Sequence, residues 1–562
     1  MIVHKYGCRP PTEGSTRVGE ILWLAHRYQN QLIELELARR AAVGALVAPG
    51  MTRKDAAAMM ADRVSAMRRA ARTASGLSGS WGTYGLVEQA VDAASKKGTM
   101  HFRRWDGTGR VAVQLHVHEA KGERLTVEDA LGGQDRRLRI EYVTDRATVG
   151  RSGQHVLDDS RRAGKRGLVH LRVDSNPDRS PVWATWPVTL HRPLPPGGTI
   201  KWAWVQRERL GPDYRWFLCV TVDAPPVADP KANVERAGTV AVDLGWRMRP
   251  DGMRVGYWRD DAGKHDELVL PESYLDDLDH ARSIGAIRDR LANEFRDRLV
   301  AWIKTRAGVE NPRHDDGGLP EWFRAATATL AQWRSADRLS RLAWRWLRNR
   351  LAGDEAMFET RLDCPGDGNG ALDCVQHVDC WRRKDRHLHT WEAHETAKVL
   401  GRRNELYRCW SAIFARQYRT VVIEDFHLPD VAGRRGLDAM ATDGEKVKAD
   451  NASSQRHVGA PGRFRLALLN ACRSRDTAVS VQPAEWTTID CASCAARIPW
   501  DAAPAIDHRC EACGDTWDQD HQACVNLLRS DASAPVTPPA PEALAKAKSA
   551  RQQRFGRRRD RK

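Results

Sequence analysis

Long hydrophobic runs are missing from this chain of 562 residues. No stretch of about 18 apolar residues occurs, which predicts that no helix spans a membrane. Residues 1–5 lack the apolar region of a secretory signal peptide. The twelve cysteines do not suggest a disulfide framework in a chain of this length. These absences argue against a secreted or membrane protein and favour a cytoplasmic location.

Positive charge is in excess, with a net charge of +16. Residues 551–562 carry seven basic residues and one acidic residue, so the other 550 residues still hold a net charge of +10. The basicity is therefore not confined to the tail, and it indicates a polyanionic partner such as nucleic acid. The alternative is a basic protein whose charges are dispersed and bind no such partner.

The first 230 residues change from a helical to a strand pattern. Apolar residues at helical spacing predict a helix at 18–47, and Thr52 is expected to cap a second helix. A third helix is expected at 86–97. From residue 99 onward the period becomes that of strands, and Gly and Pro separate the runs; strands are predicted at 100–105, 111–117, 138–142, 168–173, 188–190, 199–205 and 216–222.

These strands predict a β-barrel-like domain in which Arg and Lys alternate with Trp, His and Tyr. A small barrel with such a face is typical of a platform for single strands or RNA. The alternative is a barrel of ordinary amphipathic strands. The short N-terminal strand at residues 1–6 is expected to join the same barrel.

A second domain follows a proline-bearing linker at 225–233. Its expected strands lie at 238–243, 252–258, 267–270, 419–424 and 478–481, and its expected helices at 276–306, 320–351, 391–417, 464–474 and 521–528. Residues 427–460 are rich in Gly, Asp and Lys and are predicted to form a mobile loop. Residues 530–562 are predicted to be disordered and to end in a basic arm.

Two CxxC pairs near the C-terminus carry the most specific signal. They are separated by fifteen residues, a spacing that suits one tetrahedral zinc site; the four cysteines are Cys491, Cys494, Cys510 and Cys513. Because all four ligands are thiolates, no position is left for a substrate and the zinc is expected to be structural.

Three acidic residues stand where carboxylates meet in RNase H-type folds. Asp243 closes an apolar strand, Glu424 closes a second, and Asp520 opens the helix after the cysteines. Carboxylates from such positions converge to hold two Mg²⁺ ions, which prefer oxygen ligands. Each acid alone could be a strand end that reaches solvent, but their order and the adjacent zinc ribbon favour a nuclease centre.

Two further features admit more than one interpretation. Cys364, Cys374, His377 and Cys380 could bind a second zinc, although their irregular spacing favours solitary thiols. Trp333, Trp344 and Trp346 lie on helical patterns among arginines. This pattern suits either a helix with a buried aromatic face or a helix along a nucleic-acid backbone.

This layout resembles the compact type V CRISPR effectors and their transposon-encoded TnpB relatives. The resemblance rests on the segments around Asp243, Glu424 and Asp520 and on the four cysteines, and it implies a multidomain α+β protein. It implies a wedge β-barrel at 1–11 and 99–233, a helical recognition domain at 12–98, an RNase H-like RuvC domain split by helical insertions at 234–483, a zinc-ribbon target-nucleic-acid-binding module at 484–516, a C-terminal RuvC helix at 517–530 and a disordered basic tail at 531–562.

The resemblance also implies roles. Asp243, Glu424 and Asp520 match the RuvC triad, and the four cysteines match the zinc ligands. The third motif departs from the usual Asp-x-Asn-Ala-Ala, because Gln522 replaces the Asn, and a second metal is expected to bind poorly. With this departure the chain looks most like subtype V-M, which implies guided DNA binding with little or no cleavage.

The implied partners are a CRISPR guide RNA and double-stranded DNA with a T-rich flanking motif, bound by one protein chain per guide. We expect silencing mainly through binding, with guide-RNA processing as a further task that the RuvC site could perform. One alternative is an active RNA-guided endonuclease using two Mg²⁺. A second is a transposon-derived DNA-binding protein without a guide.

Overall fold

A computed structural model describes most of the chain. The described residues are 2–47, 50–77, 79–96, 98, 100–114, 124–133, 135–142, 165–224, 236–306, 321–351, 374–425, 453–483, 487–497 and 507–532. The chain divides into two compact units, Met1–Val227 and Ala228–Lys562. None of the described helices is long and apolar enough to cross a membrane.

The first unit is built on one antiparallel sheet. Its strands are β1 (Ile2–Cys8), β2 (Gly109–Gln114), β3 (Leu138–Tyr142), β4 (Lys165–Ser175), β5 (Pro181–Leu190), β6 (Thr199–Leu210) and β7 (Asp213–Asp223). They pair in the order β2-β6-β7-β1-β5-β4-β3. The N-terminal strand lies in the middle of the sheet, with Tyr6 opposite Leu218, so it belongs to the same sheet as the later strands.

Helices cover the sheet and share its core. They are α1 (Ser15–Val47), α2 (Arg53–Met59), α3 (Ala61–Ala74), α4 (Trp81–Lys96) and α5 (Val127–Leu131). Ile21 and Tyr28 of α1 and Val91 of α4 are buried in one cluster with Val205 and Leu218 of the sheet. The N-terminal helices therefore stabilise the sheet directly, since burying each large apolar side chain contributes about 1.5–3 kcal/mol.

Several local expectations for this unit need correction. The hydroxyl of Thr52 accepts a hydrogen bond from the backbone of Asp55, as expected of a cap, but the helix it caps breaks at Met60. The third expected helix corresponds to α4, which begins at Trp81 rather than at residue 86. Residues 100–105 are not a strand. Their alternating side chains have no partner strand, and Trp105 packs instead on Trp23 and His26 of α1.

The second unit contains a five-stranded sheet. Its strands are β8 (Ala237–Arg249), β9 (Gly252–Asp260), β10 (His265–Pro271), β11 (Tyr418–Asp425) and β12 (Ala478–Pro483). The order is β10-β9-β8-β11-β12, with antiparallel pairs among the first three strands and parallel pairs from β8 through β12. Because β8 and β11 are parallel, their carboxyl ends lie at the same edge of the sheet.

Long helices separate β10 from β11 in sequence. They are α6 (Glu272–Arg306), α7 (Glu321–Thr327), α8 (Ala336–Leu351) and α9 (Cys374–Gln417); α10 (Pro461–Arg475) and α11 (Gln519–Ala532) follow β11 and the cysteine segment. Tyr274 of α6, Tyr407 of α9 and Phe464 of α10 pack against the sheet. The five-stranded sheet is thus interrupted in sequence by a helical insertion between β10 and β11.

The helix α9 is longer than its sequence pattern indicated. It begins at Cys374 rather than at residue 391. The pattern missed the first half because that half is polar, and its few apolar contacts, such as those of Val378, lie in a separate cluster with α6 and α8. Of the loop expected at 427–460, residues 427–452 lie outside the described residues. Residues 453–459 are helical. The tail was expected to begin at residue 531, but α11 extends to Ala532. Residues 533–562 lie outside the described residues.

A small hairpin completes the second unit. Its strands, β13 (Asp507–Arg509) and β14 (Thr516–Asp518), are antiparallel, and β14 runs directly into α11. Trp517 of the hairpin is buried against Cys491 and Cys510. The cysteine segment and α11 are therefore continuous in both sequence and structure.

Candidate functional site

Asp243 and Glu424 lie on neighbouring parallel strands. The register of β8 and β11 pairs Val242 with Ile423, so that the two acids follow at the next position of each strand. The flanking apolar residues are buried, which fixes the strand register and therefore the position of both acids. The side chain of Asp243 is itself only 6% exposed.

Asp520 reaches the same place from α11. This helix packs on the sheet through Cys524 and Leu527, which contact Ala241 of β8 and Val422 of β11. Asp520 lies in the first turn, and a Cβ atom at Gly245 would stand 4.0 Å from its Oδ2 atom. Gly245 and the Asp520 carboxylate are therefore near neighbours.

The three carboxylates act on one another electrostatically. Burial, followed by the charges of Glu424 and Asp520, raises the pKa of Asp243 well above its ordinary value. Burial is also the main cause that raises the pKa of Glu424 and of Asp520. The structure thus brings the three acids predicted from sequence into one buried site, where like charges lie close together.

A buried arginine, Arg254 of β9, lies within this acidic site. Its side chain is 1% exposed, and its Nη1 atom donates to Glu267 Oε1 at 2.9 Å and to Asp518 Oδ2 at 2.8 Å. Its Nη2 atom lies 2.7 Å from Asp520 Oδ2. A buried guanidinium requires such partners, since an uncompensated buried charge is costly.

Other side chains orient the acids. The Thr487 hydroxyl donates to Glu424 Oε1 at 2.5 Å, and Arg465 of α10 donates to the backbone carbonyl of Glu424. Asp518 accepts from the backbone N–H groups of Asp520 and His521 at 2.9 and 3.1 Å, so it caps the start of α11. These contacts hold both the strand end and the helix start.

The acidic residues have the donor chemistry for a divalent cation. Their carboxylate oxygens are the ligands that Mg²⁺ prefers, and a bound cation would relieve the repulsion among three buried like charges. Over the described ranges, however, the carboxylates are not so closely clustered that all three donor atoms lie within 4.8 Å of one another. The chemistry of the donors suits a divalent ion, but the three acids do not surround one point as the cysteines do, and Asp520 is already engaged by Arg254.

The four cysteines do form a compact donor set. The Sγ atoms of Cys491, Cys494, Cys510 and Cys513 all lie within 4.8 Å of one another. The distances are 3.7 Å from Cys491 to Cys513 and 3.6 Å from Cys494 to Cys510. Four thiolates placed at about 2.3 Å from a common centre have such spacings, so the cluster fits zinc.

Both cysteine pairs use the same backbone turn. The N–H of Ala495 donates to the carbonyl of Cys491, and the N–H of Gly514 donates to that of Cys510. Ala495 and Gly514 have positive φ angles, which close each turn behind its pair. This repetition is what a metal-binding knuckle needs to aim two sulfurs at one point.

The cysteine segment is fastened to α11. Gln522, which is 3% exposed, donates from Nε2 to the carbonyl of Asp490 at 2.6 Å, and Asn526 donates to the same carbonyl at 2.8 Å. The amide of Gln522 therefore contacts the cysteine segment. Its expected effect on a second metal stays a prediction.

Sequence reasoning missed Arg254, Asp518 and Thr487. Arg254 reads as an ordinary polar position in a strand, although an arginine between apolar neighbours at 252–257 is a usable signal. Trp333 is buried, so the aromatic-core interpretation is right for it, whereas Trp344 is 49% exposed. Cys364 and the side chains of Cys374, His377 and Trp346 lie outside the described residues.

Comparisons with known proteins give a consistent group of relatives. No protein-family model matches the chain. A "CRISPR-associated DNA-binding protein Cas12m" from Allomeiothermus silvanus is 31% identical over 574 residues, covering 94% of this chain and 96% of the relative. A protein of the same name from Thermanaerosceptrum fracticalcis is 32% identical over 448 residues, covering 79% of this chain and 67% of the relative.

Solved structures of similar architecture are more distant. The Cas12f1–sgRNA–target DNA complex has a TM-score of 0.39 at 10% identity, covering 92% of this chain and 82% of that chain. The mini-RNA-guided endonuclease CRISPR-Cas phi3 has a TM-score of 0.36 at 11% identity, covering 96% of this chain and 93% of that chain. Both TM-scores are too low to carry a functional inference.

Proposed function

The chain belongs to the Cas12m family, and on this basis we propose that it is a CRISPR effector that binds double-stranded DNA under the direction of a guide RNA. The observation that carries the proposal is a match over nearly the full length to a relative that is named as a DNA-binding protein. The net charge of +16 supports a nucleic-acid partner.

In this proposal the guide RNA supplies sequence specificity by pairing with the target strand. The protein recognises a short T-rich motif beside the target and stabilises the displaced strand, with one protein chain per guide. The resulting R-loop silences the target mainly by remaining bound. Cleavage of DNA is weak or absent.

The site residues have two separate roles. Asp243, Glu424 and Asp520 form the RuvC-type centre, where a bound Mg²⁺ would stabilise negative charge on a phosphodiester. The side chains around it do the positioning, since Thr487 orients Glu424 and Asp518 caps the helix of Asp520. The four cysteines hold a structural zinc that fixes the segment before α11.

Filter binding with defined RNAs tests this function. Protein loaded with a repeat-derived guide is expected to bind a matched duplex with T-rich flanks much more tightly than a duplex of scrambled sequence. Removing the guide should abolish the preference, because the protein alone reads only the flanking motif and duplex shape. Equal affinity for both duplexes, with and without guide, would contradict a guided function.

An active RNA-guided endonuclease is the second candidate. It is favoured by the convergence of Asp243, Glu424 and Asp520 at one buried site, since a pure binder has no need of three such acids. A third candidate is a DNA-binding protein that needs no guide. Stoichiometric RNA of repeat sequence in the purified protein would exclude this third candidate.

A further inference from the structure

The three acids of the RuvC-type centre differ in their partners. Oδ2 of Asp520 lies 2.7 Å from the Arg254 guanidinium. Glu424 accepts a neutral hydroxyl, that of Thr487, and Arg465 reaches only its backbone carbonyl. Within the described chain, no guanidinium bonds the carboxylate of Asp243 or of Glu424.

Arg254 cannot easily leave this position. It is buried on β9, and Glu267 and Asp518 hold its Nη1 atom from two other elements, β10 and β14. A guanidinium does not lose its proton in a protein, so its charge is permanent. Arg247 adds a second cation nearby, donating to Gln519 at 3.1 Å and acting electrostatically on Asp520.

A metal ion and a guanidinium compete for the same carboxylate. The oxygen that contacts Arg254 is not available as a ligand, and a divalent ion placed beside a buried positive charge is repelled by it. Among the described residues, the carboxylates of Asp243 and Glu424 accept no hydrogen bond from a guanidinium, so their oxygens remain available to an ion. The three acids therefore differ: Asp243 and Glu424 are open to a metal ion, whereas the charge of Asp520 is balanced by the Arg254 guanidinium.

We propose that Arg254 takes the place of a second divalent cation at Asp520, so that the centre binds a single divalent ion through Asp243 and Glu424. The inference rests on the proposed RuvC-type function of these acids. It makes Arg254 a positioning residue that acts through Asp520. A centre with a single ion lacks half of a two-metal clamp, which would account for the weak or absent cleavage proposed above.

Mn²⁺, which substitutes for Mg²⁺ at oxygen sites, allows the ions to be counted. Zinc-loaded full-length protein is titrated with Mn²⁺ without chelator, and bound ions are counted by electron paramagnetic resonance. The wild type is expected to bind one Mn²⁺ with an isolated-ion spectrum. Arg254→Gln is expected to bind two, with the broadening that close Mn²⁺ pairs produce. Arg254→Lys, which keeps the charge, should stay at one.

Arg249→Gln is the matched control. Arg249 also pairs with Glu267, and with Asp251, but the structure gives it no contact with Asp520. It should leave the count at one. If Arg249→Gln gained a second Mn²⁺ ion as Arg254→Gln does, the inference would be overturned. The loss of any nearby positive charge would then be enough to admit a second ion.

The remaining outcomes separate the two claims. Two Mn²⁺ ions bound to the wild type would overturn the inference, whether or not Arg254→Gln folds. A folded Arg254→Gln that still binds one Mn²⁺ ion would also overturn it. If the wild type binds no Mn²⁺ and Asp243→Asn behaves identically, the RuvC-type assignment itself fails. If Asp243→Asn removes a single ion that the wild type binds, that assignment stands.

Discussion

At the residue scale, the acidic site depends on buried charges that compensate one another. Arg254 is nearly fully buried and is surrounded by Glu267, Asp518 and Asp520. Such an arrangement adds little net stability when complete, but removing one partner leaves the others uncompensated. A position that looks like one arginine among 89 basic residues is therefore expected to be among the most sensitive in the domain.

Arg254→Gln in zinc-loaded protein without Mg²⁺ or Mn²⁺ is expected to lower the free energy of unfolding by about 3–5 kcal/mol, because three carboxylates lose their buried cation. Arg249→Gln should cost less than about 1 kcal/mol, since that side chain is partly exposed. Urea denaturation followed by circular dichroism gives both values. Equal losses of unfolding free energy in the two variants would show that the burial of Arg254 does not increase its contribution to stability.

At the element scale, the strands of the second unit were predictable and their neighbours less so. In β8 and β11 a buried apolar run leads directly to an acid, and the pattern suffices because buried parallel strands are continuous apolar segments. The strand β8 nevertheless continues past Asp243 to Arg249. The first half of α9 was missed because it is polar. Residues 100–105 were wrongly predicted as a strand, since alternation alone does not supply a pairing partner.

The site was predictable to the same extent. Glu424 and Asp520 stand at the ends of regular elements and Asp243 follows the apolar run of β8, and their order in the sequence indicates convergence. Arg254 and Thr487 could not be assigned, because their roles arise from contacts across elements far apart in the chain. A buried arginine is rare enough that composition favours a surface position.

The cysteine segment should depend on its metal. Cys510→Ser is expected to reduce bound zinc from one per chain to nearly none and to increase amide exchange over residues 487–497 and 507–518, because metal binding supplies the folding free energy of such small modules. Cys409→Ser, at an exposed free cysteine of α9, is the control and should change neither. Elemental analysis measures the zinc content and hydrogen exchange measures the amide protection. An unchanged zinc content in Cys510→Ser would contradict the assignment of Cys510 as a zinc ligand.

The contact between α11 and the cysteine segment can be tested without removing zinc. Replacing both Gln522 and Asn526 by Ala deletes two hydrogen bonds to Asp490, each worth about 1 kcal/mol. We expect faster amide exchange at 487–490 with full zinc content. Arg529→Ala, an exposed position on the same helix, should match the wild type. Identical exchange in all three proteins would mean that these bonds do not hold the segment.

At the scale of the whole molecule, charge and family membership point to the same partner. The net charge of +16 is spread through both the tail and the rest of the chain. Basic residues give affinity for phosphates without sequence preference, whereas the guide RNA gives specificity. Affinity and specificity should therefore respond separately to changes in the protein.

Deleting residues 551–562 removes seven basic residues and one acid. The shortened protein is expected to bind all duplexes more weakly at low salt and to show a shallower dependence of the binding constant on salt, since fewer counterions are released. Its ratio of matched to scrambled affinity should be unchanged. Fluorescence anisotropy over a salt series measures both, and a changed ratio with an unchanged salt slope would contradict the separation.

We propose that this member of the Cas12m family acts by binding DNA rather than by cutting it. The most direct measurement uses guide-loaded protein and a matched linear duplex with T-rich flanks in Mg²⁺, with binding read by gel shift and cleavage by denaturing gel from the same tubes. We predict a tight shift with intact strands for the wild type and for Asp243→Ala. Strands that are cut by the wild type and remain whole with Asp243→Ala would contradict the account.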